Sequence, residues 1–259
     1  MISVQNVVKT FGGLRAVDDC SFDVAAGSIT GLIGPNGAGK STVFNIIAGA
    51  LRPDAGRIRL GDEDITDLPP HRRFHRGLVR TFQIPHEFGR MTVIENLMLV
   101  PAGQPGESVP NVLLRFGDVR RHERQVRERA EEVLEFLQLT HVRDELAGRL
   151  SGGQKKLLEL GRTMMTDARV VLLDEPGAGV NRTLLAKLAD DIRRLNRDRG
   201  YTFCIIEHDM DLIAELCDPV IVMAEGRVLT QGSMDDIRRD EAVLEAYLGG
   251  AAREPEGTA

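Results

Sequence analysis

The sequence predicts an α/β fold built on a mostly parallel sheet with helices on both faces. Three observations predict it. A glycine-rich loop at residues 34–42 stands between an apolar run and a helical pattern, which indicates a strand–loop–helix unit. From residue 157 onward, helical patterns alternate with short continuous apolar runs, as in parallel sheets that are covered on both sides. Near the N-terminus, short alternating segments separated by glycines indicate antiparallel strands.

Composition limits the classes of protein that the chain can belong to. It has 259 residues and a formal net charge of −6. This length suits one large domain, or one domain with a subdomain, and the negative charge disfavours a nucleic-acid partner. Cys20, Cys204 and Cys217 lack the spacing of metal ligands and fit reduced thiols in the cytosol. Since no apolar run approaches the ~20 residues that cross a bilayer, we expect a soluble protein whose membrane part, if any, is another chain.

The elements follow in chain order. Strands are expected around residues 2–4, 16–17, 21–24, 28–33 and 57–60, with glycine breaks at 12–13 and 27. Helices are expected after the glycine-rich loop, over 91–100 with a capping box between Thr92 and Glu95, and over 117–139, with a loop at 101–111. Later helices at 157–165, 184–195 and 212–217 each precede an apolar strand, at 170–173, 203–206 and 220–223 respectively.

The glycine-rich loop carries the clearest chemical signal. Residues 34–41 match G-x-x-x-x-G-K-[ST], the phosphate-cradling P-loop pattern, between a predicted strand and a predicted helix. Loop amides and the helix dipole hold phosphate oxygens, Lys40 can reach the β- and γ-phosphates, and the Ser41 hydroxyl can ligate Mg²⁺. The predicted nucleotide-binding residues of this loop are Gly34, Pro35, Asn36, Gly37, Ala38, Gly39, Lys40, Ser41 and Thr42. A chance glycine-rich turn would not need the flanking strand and helix.

Two further stretches extend the predicted site. The apolar strand at 170–173 runs into Asp174 and Glu175. Asp174 fits the Walker B role of holding Mg²⁺, and Glu175 fits a general base or water-orienting residue. Residues 150–154, Leu-Ser-Gly-Gly-Gln, precede a helix, so Ser151 can cap that helix while Gly152 and Gly153 leave its N-terminus open to an anion.

With these motifs together, the chain resembles the ATP-binding subunits of ABC transporters over about residues 1–250. In that family the Leu-Ser-Gly-Gly-Gln signature closes over ATP held by the P-loop of the opposite subunit, so the resemblance implies Ser151, Gly152, Gly153 and Gln154 as nucleotide-binding residues. It also implies that Gln83 contacts Mg²⁺ and that His208 lies near the γ-phosphate. Phe11 matches the aromatic residue that stacks on adenine, although packing in the apolar core explains a Phe there equally well.

The resemblance also implies a division of the chain. Residues 1–83 and 151–250 would form the P-loop core with an antiparallel β subdomain, residues 84–150 a helical subdomain with the signature at its end, and 251–259 a mobile tail. Residues 177–181 match the D-loop, which often ends in Asp but here ends in Asn181. This puts in doubt the electrostatic part of the D-loop in coupling across the dimer, and leaves hydrolysis by Glu175 in place.

Several strings resemble one branch of the family, the ATPases that import branched-chain and other hydrophobic amino acids. They are residues 11–14 with 16–18, 80–83, 91–97, 206–210 and 246–249. The implied partners are a second ABC ATPase subunit, two transmembrane permeases and an extracytoplasmic solute-binding protein, with this chain on the cytoplasmic face of the membrane. Phe88 and Arg90 are expected to line a groove for a permease helix. Importers of urea or short-chain amides and lipopolysaccharide exporters share much of the pattern.

Other classes fit the sequence less well. A soluble ABC ATPase of DNA repair or chromosome structure would carry a long coiled-coil insertion, and one of translation would carry two cassettes. A GTPase or a small-molecule kinase would lack the signature string, and the chain has no Asn-Lys-x-Asp guanine-reading motif. A non-catalytic binding module would not need both Glu175 and His208.

Overall fold

The computed structural model describes residues 1–81, 87–105 and 116–251. The strands are β1 Ile2–Phe11, β2 Leu14–Val24, β3 Ile29–Ile33, β4 Ala55–Leu60, β5 Glu63–Asp64, β6 Leu78–Arg80, β7 Val170–Asp174, β8 Thr202–Ile206, β9 Val220–Ala224 and β10 Arg227–Gly232. The helices are α1 Lys40–Ile47, α2 Pro70–Phe74, α3 Val93–Met98, α4 Phe116–Phe136, α5 Gly152–Met164, α6 Arg182–Arg199, α7 Met210–Leu216, α8 Met234–Arg239 and α9 Glu241–Ala251. Short 3₁₀ turns lie at Thr140–Val142 and Ala147–Arg149.

The larger sheet has six strands in the order β10-β9-β3-β8-β7-β6. All of its pairs are parallel except the edge pair of β10 with β9. Every residue of β3, β7 and β8 is buried, as expected for strands covered on both faces. Ile206 pairs with Leu32 on one side and with Asp174 on the other, so these three strands end side by side. The predicted mostly parallel sheet is therefore confirmed, and the segments after these strands meet at one edge.

The smaller sheet has four strands in the order β2-β1-β4-β5, all antiparallel. Its first hairpin turns at residues 12–13, as the glycine pair predicts. Val4, Val17 and Phe22 share one buried cluster with Phe44 of α1 and Leu32 of β3, so this sheet packs on the P-loop helix. The predicted antiparallel strands near the N-terminus are confirmed.

Contacts divide the chain into two compact units: residues 1–80, 169–177 and 192–259, and residues 81–168 and 178–191. Both sheets lie in the first unit, and α3, α4 and α5 lie in the second. Residues 151–168 and 178–191 thus fall in the second unit, whereas the division implied by the family resemblance places them with the core. The reason is packing: a Cβ on Gly161 of α5 would lie 2.9 Å from Leu137 and 3.1 Å from Val133.

Some predicted bounds shift and some elements were not predicted. Helix α5 begins at Gly152, five residues before the apolar stripe that marked its predicted start. Strand β6 has three residues, too few for an alternating pattern to stand out. The helix α9 continues to Ala251, and the remaining residues of the predicted tail lie outside the described residues. All three cysteines are buried free thiols.

Candidate active site

The loop after β3 approaches its surroundings so closely that two of its positions require glycine. Gly34 has φ 149°, and a Cβ there would lie 2.1 Å from the Met223 carbonyl oxygen. Gly39 has φ 94°, and a Cβ there would lie 2.4 Å from the Ala16 carbonyl oxygen. The loop is also tied to the β9–β10 turn, since the Gly226 N–H donates to the Ala38 carbonyl at 3.2 Å. Helix α1 begins immediately after it, so the N-terminus of α1 opens onto the loop.

The side chain of Lys40 is held by backbone carbonyl groups of this loop. Its Nζ donates to the carbonyl oxygens of Gly34 at 2.7 Å and Pro35 at 3.0 Å, and the residue is 6% exposed. Burial lowers the pKa of Lys40, while the nearby charges of Glu175 and Asp174 oppose that shift. The site therefore combines a buried cation with two carboxylates at the end of β7.

The two predicted acids leave β7 in different directions. Asp174 ends the strand and is 6% exposed. Glu175 adopts φ 49°, and its N–H donates to the Ile206 carbonyl of β8 at 2.9 Å. A positive φ in a residue other than glycine is uncommon, and here it turns the Glu175 side chain out of the strand. One carboxylate thus stays buried and the other stands at the edge of the sheet.

His208 follows β8 and reaches the second acid. Its Nε2 lies 2.9 Å from Glu175 Oε1. The two strands that carry these residues are neighbours in the sheet, which explains how positions 33 residues apart come together. The imidazole is half exposed to solvent.

A third acid, Glu207, organises this edge and was not predicted from the sequence. It is 4% exposed. Its Oε1 accepts the Gly177 N–H at 2.6 Å, and its Oε2 accepts the N–H groups of His208 at 2.9 Å and Asp209 at 3.4 Å. The carboxylate therefore fixes both the segment after Glu175 and the segment that carries His208. Its sequence signal was an acid directly after an apolar strand, the same signal that marked Asp174.

The donor set around α1 and β7 fits a hard cation. Asp174 offers a carboxylate and Ser41 a hydroxyl, and Mg²⁺ prefers such oxygen ligands while keeping several waters. Gln83, the third predicted metal contact, lies outside the described residues. Across residues 1–81, 87–105 and 116–251, no group of three or more His, Cys, Asp or Glu side chains forms a metal cluster.

The predicted cap at Ser151 is confirmed in the helical unit. Ser151 Oγ accepts the Gln154 N–H at 3.4 Å, and Gln154 Oε1 accepts the Ser151 N–H at 3.0 Å, a reciprocal capping box. Ser151 and Gly152 are exposed. Gly153 is buried, and a Cβ on it would lie 1.6 Å from Leu184 Cδ2. The first turn of α5 is therefore closely packed on one side and open to solvent on the other.

Two family profiles match the chain. The family described as "ABC transporter" matches residues 17–178, and that described as "Branched-chain amino acid ATP-binding cassette transporter" matches residues 227–253. The chain belongs to the ABC transporter family. It is an ATP-binding subunit of that family and, like the family, an ATPase, so the resemblance seen in the sequence is confirmed.

Similar proteins cover nearly the whole chain. A probable branched-chain amino acid transport ATP-binding protein LivG of Archaeoglobus fulgidus is 42% identical over 96% of this chain and 95% of its own. The high-affinity branched-chain amino acid transport ATP-binding protein BraF of Pseudomonas aeruginosa is 38% identical over 97% of this chain and 98% of its own. A nucleotide-free ATP-binding cassette from an ABC transporter superposes with a TM-score of 0.82 at 40% identity, over 95% of this chain and 98% of its own. The ADP conformation of MJ1267, another ATP-binding cassette of an ABC transporter, superposes with a TM-score of 0.82 at 39% identity, over 96% of this chain and 98% of its own.

Phe11 and Asn181 are two residues of the ABC pattern whose surroundings the structure describes. Phe11 ends β1 with 46% exposure, and the Lys9 ammonium lies 5.7 Å from its ring centroid, so packing in the core does not explain it. Asn181 caps α6 by accepting the Leu184 N–H at 3.0 Å. Asn and Asp cap helices about equally well, so capping α6 does not require the negative charge of the Asp that often stands at this position in the family.

The ABC assignment implies transmembrane partners. No helix in the described part of the chain is long and apolar enough to cross a membrane. Phe88, predicted to face a permease, is 51% exposed, and the Arg162 guanidinium lies 5.7 Å from its ring centroid.

Proposed function

We propose that ATP hydrolysis by this subunit powers the uptake of branched-chain amino acids. The observation that carries this is similarity along 96–97% of the chain to proteins named for that transport, at 38–42% identity. The similarity includes the C-terminal segment, because a family profile named for branched-chain amino acid transporters matches residues 227–253. The cassette does not itself contact the solute, so the solute follows from relatives and not from the site.

In the proposed mechanism, the residues at the ends of β7 and β8 act on water. Glu175 accepts a proton from the water that attacks the γ-phosphate, and His208, 2.9 Å from Glu175 Oε1, orients both. ADP and inorganic phosphate are the products. Lys40 and the loop N–H groups stabilise the charge that develops on the phosphate oxygens. Mg²⁺, held by Ser41, Gln83 and Asp174, would supply further positive charge there.

The complete site is proposed to need two cassettes. The exposed Ser151 and Gly152 of one subunit would bind the ATP held by the loop of the other, with Gln154 beside them, and Phe11 would stack on adenine. The second cassette is a related subunit or a second copy. Two permeases and an extracytoplasmic binding protein complete the transporter, and the cassettes lie on the cytoplasmic face of the membrane.

The transport proposal is tested with the whole transporter in proteoliposomes that contain ATP and Mg²⁺. We expect ATP-dependent accumulation of labelled leucine, isoleucine and valine, and none with Glu175→Gln in this subunit. Accumulation of urea or acetamide in place of these amino acids would favour the alternative importer class. Outward movement of lipopolysaccharide would favour the exporter class and contradict the proposal.

A further inference from the structure

An arginine bridges the strand and the helix that carry the proposed metal ligands. Arg80 Nη2 donates to Asp174 Oδ2 at 2.7 Å, and Arg80 Nη1 donates to Asn45 Oδ1 at 2.6 Å. The side chains of Arg80 and Asp174 are 12% and 8% exposed, so the ion pair is largely removed from solvent. A planar guanidinium fixes the direction of both hydrogen bonds at once.

The positions of these residues in their elements explain the bridge. Arg80 ends β6 and pairs in register with Leu172 of β7, two residues before Asp174. Side chains two apart on a strand share a face, so Arg80 and Asp174 project from the same side of the sheet. Asn45 stands four residues after Ser41 on α1, on the same face of that helix. The guanidinium thus joins the end of β7 to α1 one turn from Ser41.

The bridge occupies one oxygen of the carboxylate and restricts the rotation of the other. Mg²⁺ is bound through few protein ligands and needs near-ideal geometry, so a carboxylate that is fixed beforehand loses less on binding. We infer that Arg80 is a positioning residue that holds Asp174 for Mg²⁺, so that the gain in nucleotide affinity from Mg²⁺ depends on Arg80. The inference rests on the proposed role of Asp174 as a Mg²⁺ ligand.

Two other roles for the ion pair make different predictions. If Arg80 only stabilised the fold, its removal would lower stability without changing the effect of Mg²⁺ on nucleotide affinity. If Arg80 competed with Mg²⁺ for Asp174, its removal would increase that effect, because the carboxylate would be left without its counter-charge. The sign of the change therefore separates positioning from both.

The test measures the Kd of a non-hydrolysable ATP analogue with Mg²⁺ and with EDTA, and takes the ratio as the Mg²⁺ gain. In Arg80→Met we expect the gain to fall by about 10-fold or more, as for other residues that orient metal ligands, while the Kd in EDTA stays within about twofold. Arg80→Lys should restore part of the gain. The matched control is Arg76→Met, which removes an arginine paired with Glu63 on the surface and should leave the gain unchanged.

The possible results distinguish failure of the proposed metal site from failure of the Arg80 inference. A wild-type protein with no Mg²⁺ gain would contradict the proposed metal site, whatever Arg80 does. A wild-type gain that Arg80→Met retains or increases would overturn the inference alone. If Arg80→Met does not fold, Asn45→Ala takes its place, because it removes one anchor of the guanidinium and should lower the gain by a smaller factor. In an Asp174→Asn background, Arg80→Met should cause no further loss.

Discussion

At the scale of single residues, Glu207 illustrates how one buried carboxylate orders two segments. Its two oxygens accept N–H groups from Gly177, His208 and Asp209. A carboxylate accepts hydrogen bonds on both oxygens, whereas an amide accepts on one and donates from the other. Both oxygens of Glu207 are therefore needed as acceptors to place His208 beside Glu175.

We expect Glu207→Gln to lower both ATP turnover and stability. The amide nitrogen of Gln is a donor, so it cannot accept a hydrogen bond from the backbone N–H that it would face. This unpaired contact should lower the free energy of unfolding by about 1–3 kcal/mol. Loss of His208 positioning should lower kcat by about 10-fold. The measurements are steady-state ATPase rates of the assembled transporter and urea unfolding, with Glu63→Gln on the surface as control. An unchanged kcat in a destabilised variant would contradict the positioning role.

Arg80 and Glu207 also show what sequence patterns miss at this scale. The loop at 34–42, Asp174 and Glu175 were predictable because each stands in a short recognisable string beside a strand. The partners of Arg80 and Glu207 are instead set by strand order: Arg80 meets a residue 94 positions away, and Glu207 meets Gly177 across 30. No local pattern specifies which strands become neighbours.

At the scale of elements, the P-loop helix α1 is held at its C-terminus by a buried arginine. Arg73 is 1% exposed and donates to the carbonyl oxygens of Ile46 at 2.6 Å, Ile47 at 2.7 Å, Thr66 at 2.8 Å and Leu68 at 2.9 Å. Burial lowers the pKa of Arg73 to about 10. A cation at a helix C-terminus complements the helix dipole, so Arg73 stabilises the helix whose other end opens onto the glycine-rich loop.

We expect Arg73→Met to lower the free energy of unfolding by about 3 kcal/mol or more, since several buried carbonyls would lose a charged donor. Urea unfolding measures it. The matched control is Arg72→Met at the neighbouring exposed position, where the change should stay within about 0.5 kcal/mol. A loss no larger than that of the control would show that water or backbone shifts satisfy these carbonyls.

Element types were predicted well where burial imposes a period, and the capping residues Thr92 and Ser151 were predicted where a capping string precedes a helix. The runs at 170–173, 203–206 and 220–223 are strands, as predicted. Helix α5 begins five residues before its apolar stripe because the Ser151–Gln154 capping box forms its first turn. Strand β6 has three residues, too few for an alternating hydrophobic pattern to be recognised in the sequence. This short edge strand nevertheless carries Arg80, which contacts Asp174.

At the scale of the whole molecule, surface ion pairs make stability depend on pH. The pKa of Asp18 is lowered first by its hydrogen bond from Arg227, that of Asp54 by Lys9 and that of Glu63 by Arg76. A carboxyl with a lower pKa in the folded chain stabilises the fold above its unfolded pKa. That contribution is lost as pH falls through the folded pKa.

We therefore expect the urea midpoint to be constant near neutral pH and to fall as pH drops below about 5, because the unfolded chain then binds more protons. Because these carboxyls are exposed, each contributes little and the effect should weaken in high salt. Arg227→Gln should reduce the slope by removing the main partner of Asp18. A midpoint that rises on acidification would contradict the assignment.

We propose that one ATP is bound between the loop of one cassette and the Ser151 helix end of another, and that Glu175 is needed for its hydrolysis. It is tested most directly by the light-scattering mass of Glu175→Gln with ATP and Mg²⁺, alone and with the companion ATPase subunit. The mass should double on ATP addition in at least one of these samples, and Ser151→Arg should abolish the doubling while the loop still binds ATP. Single chains with bound ATP in both samples would contradict the claim.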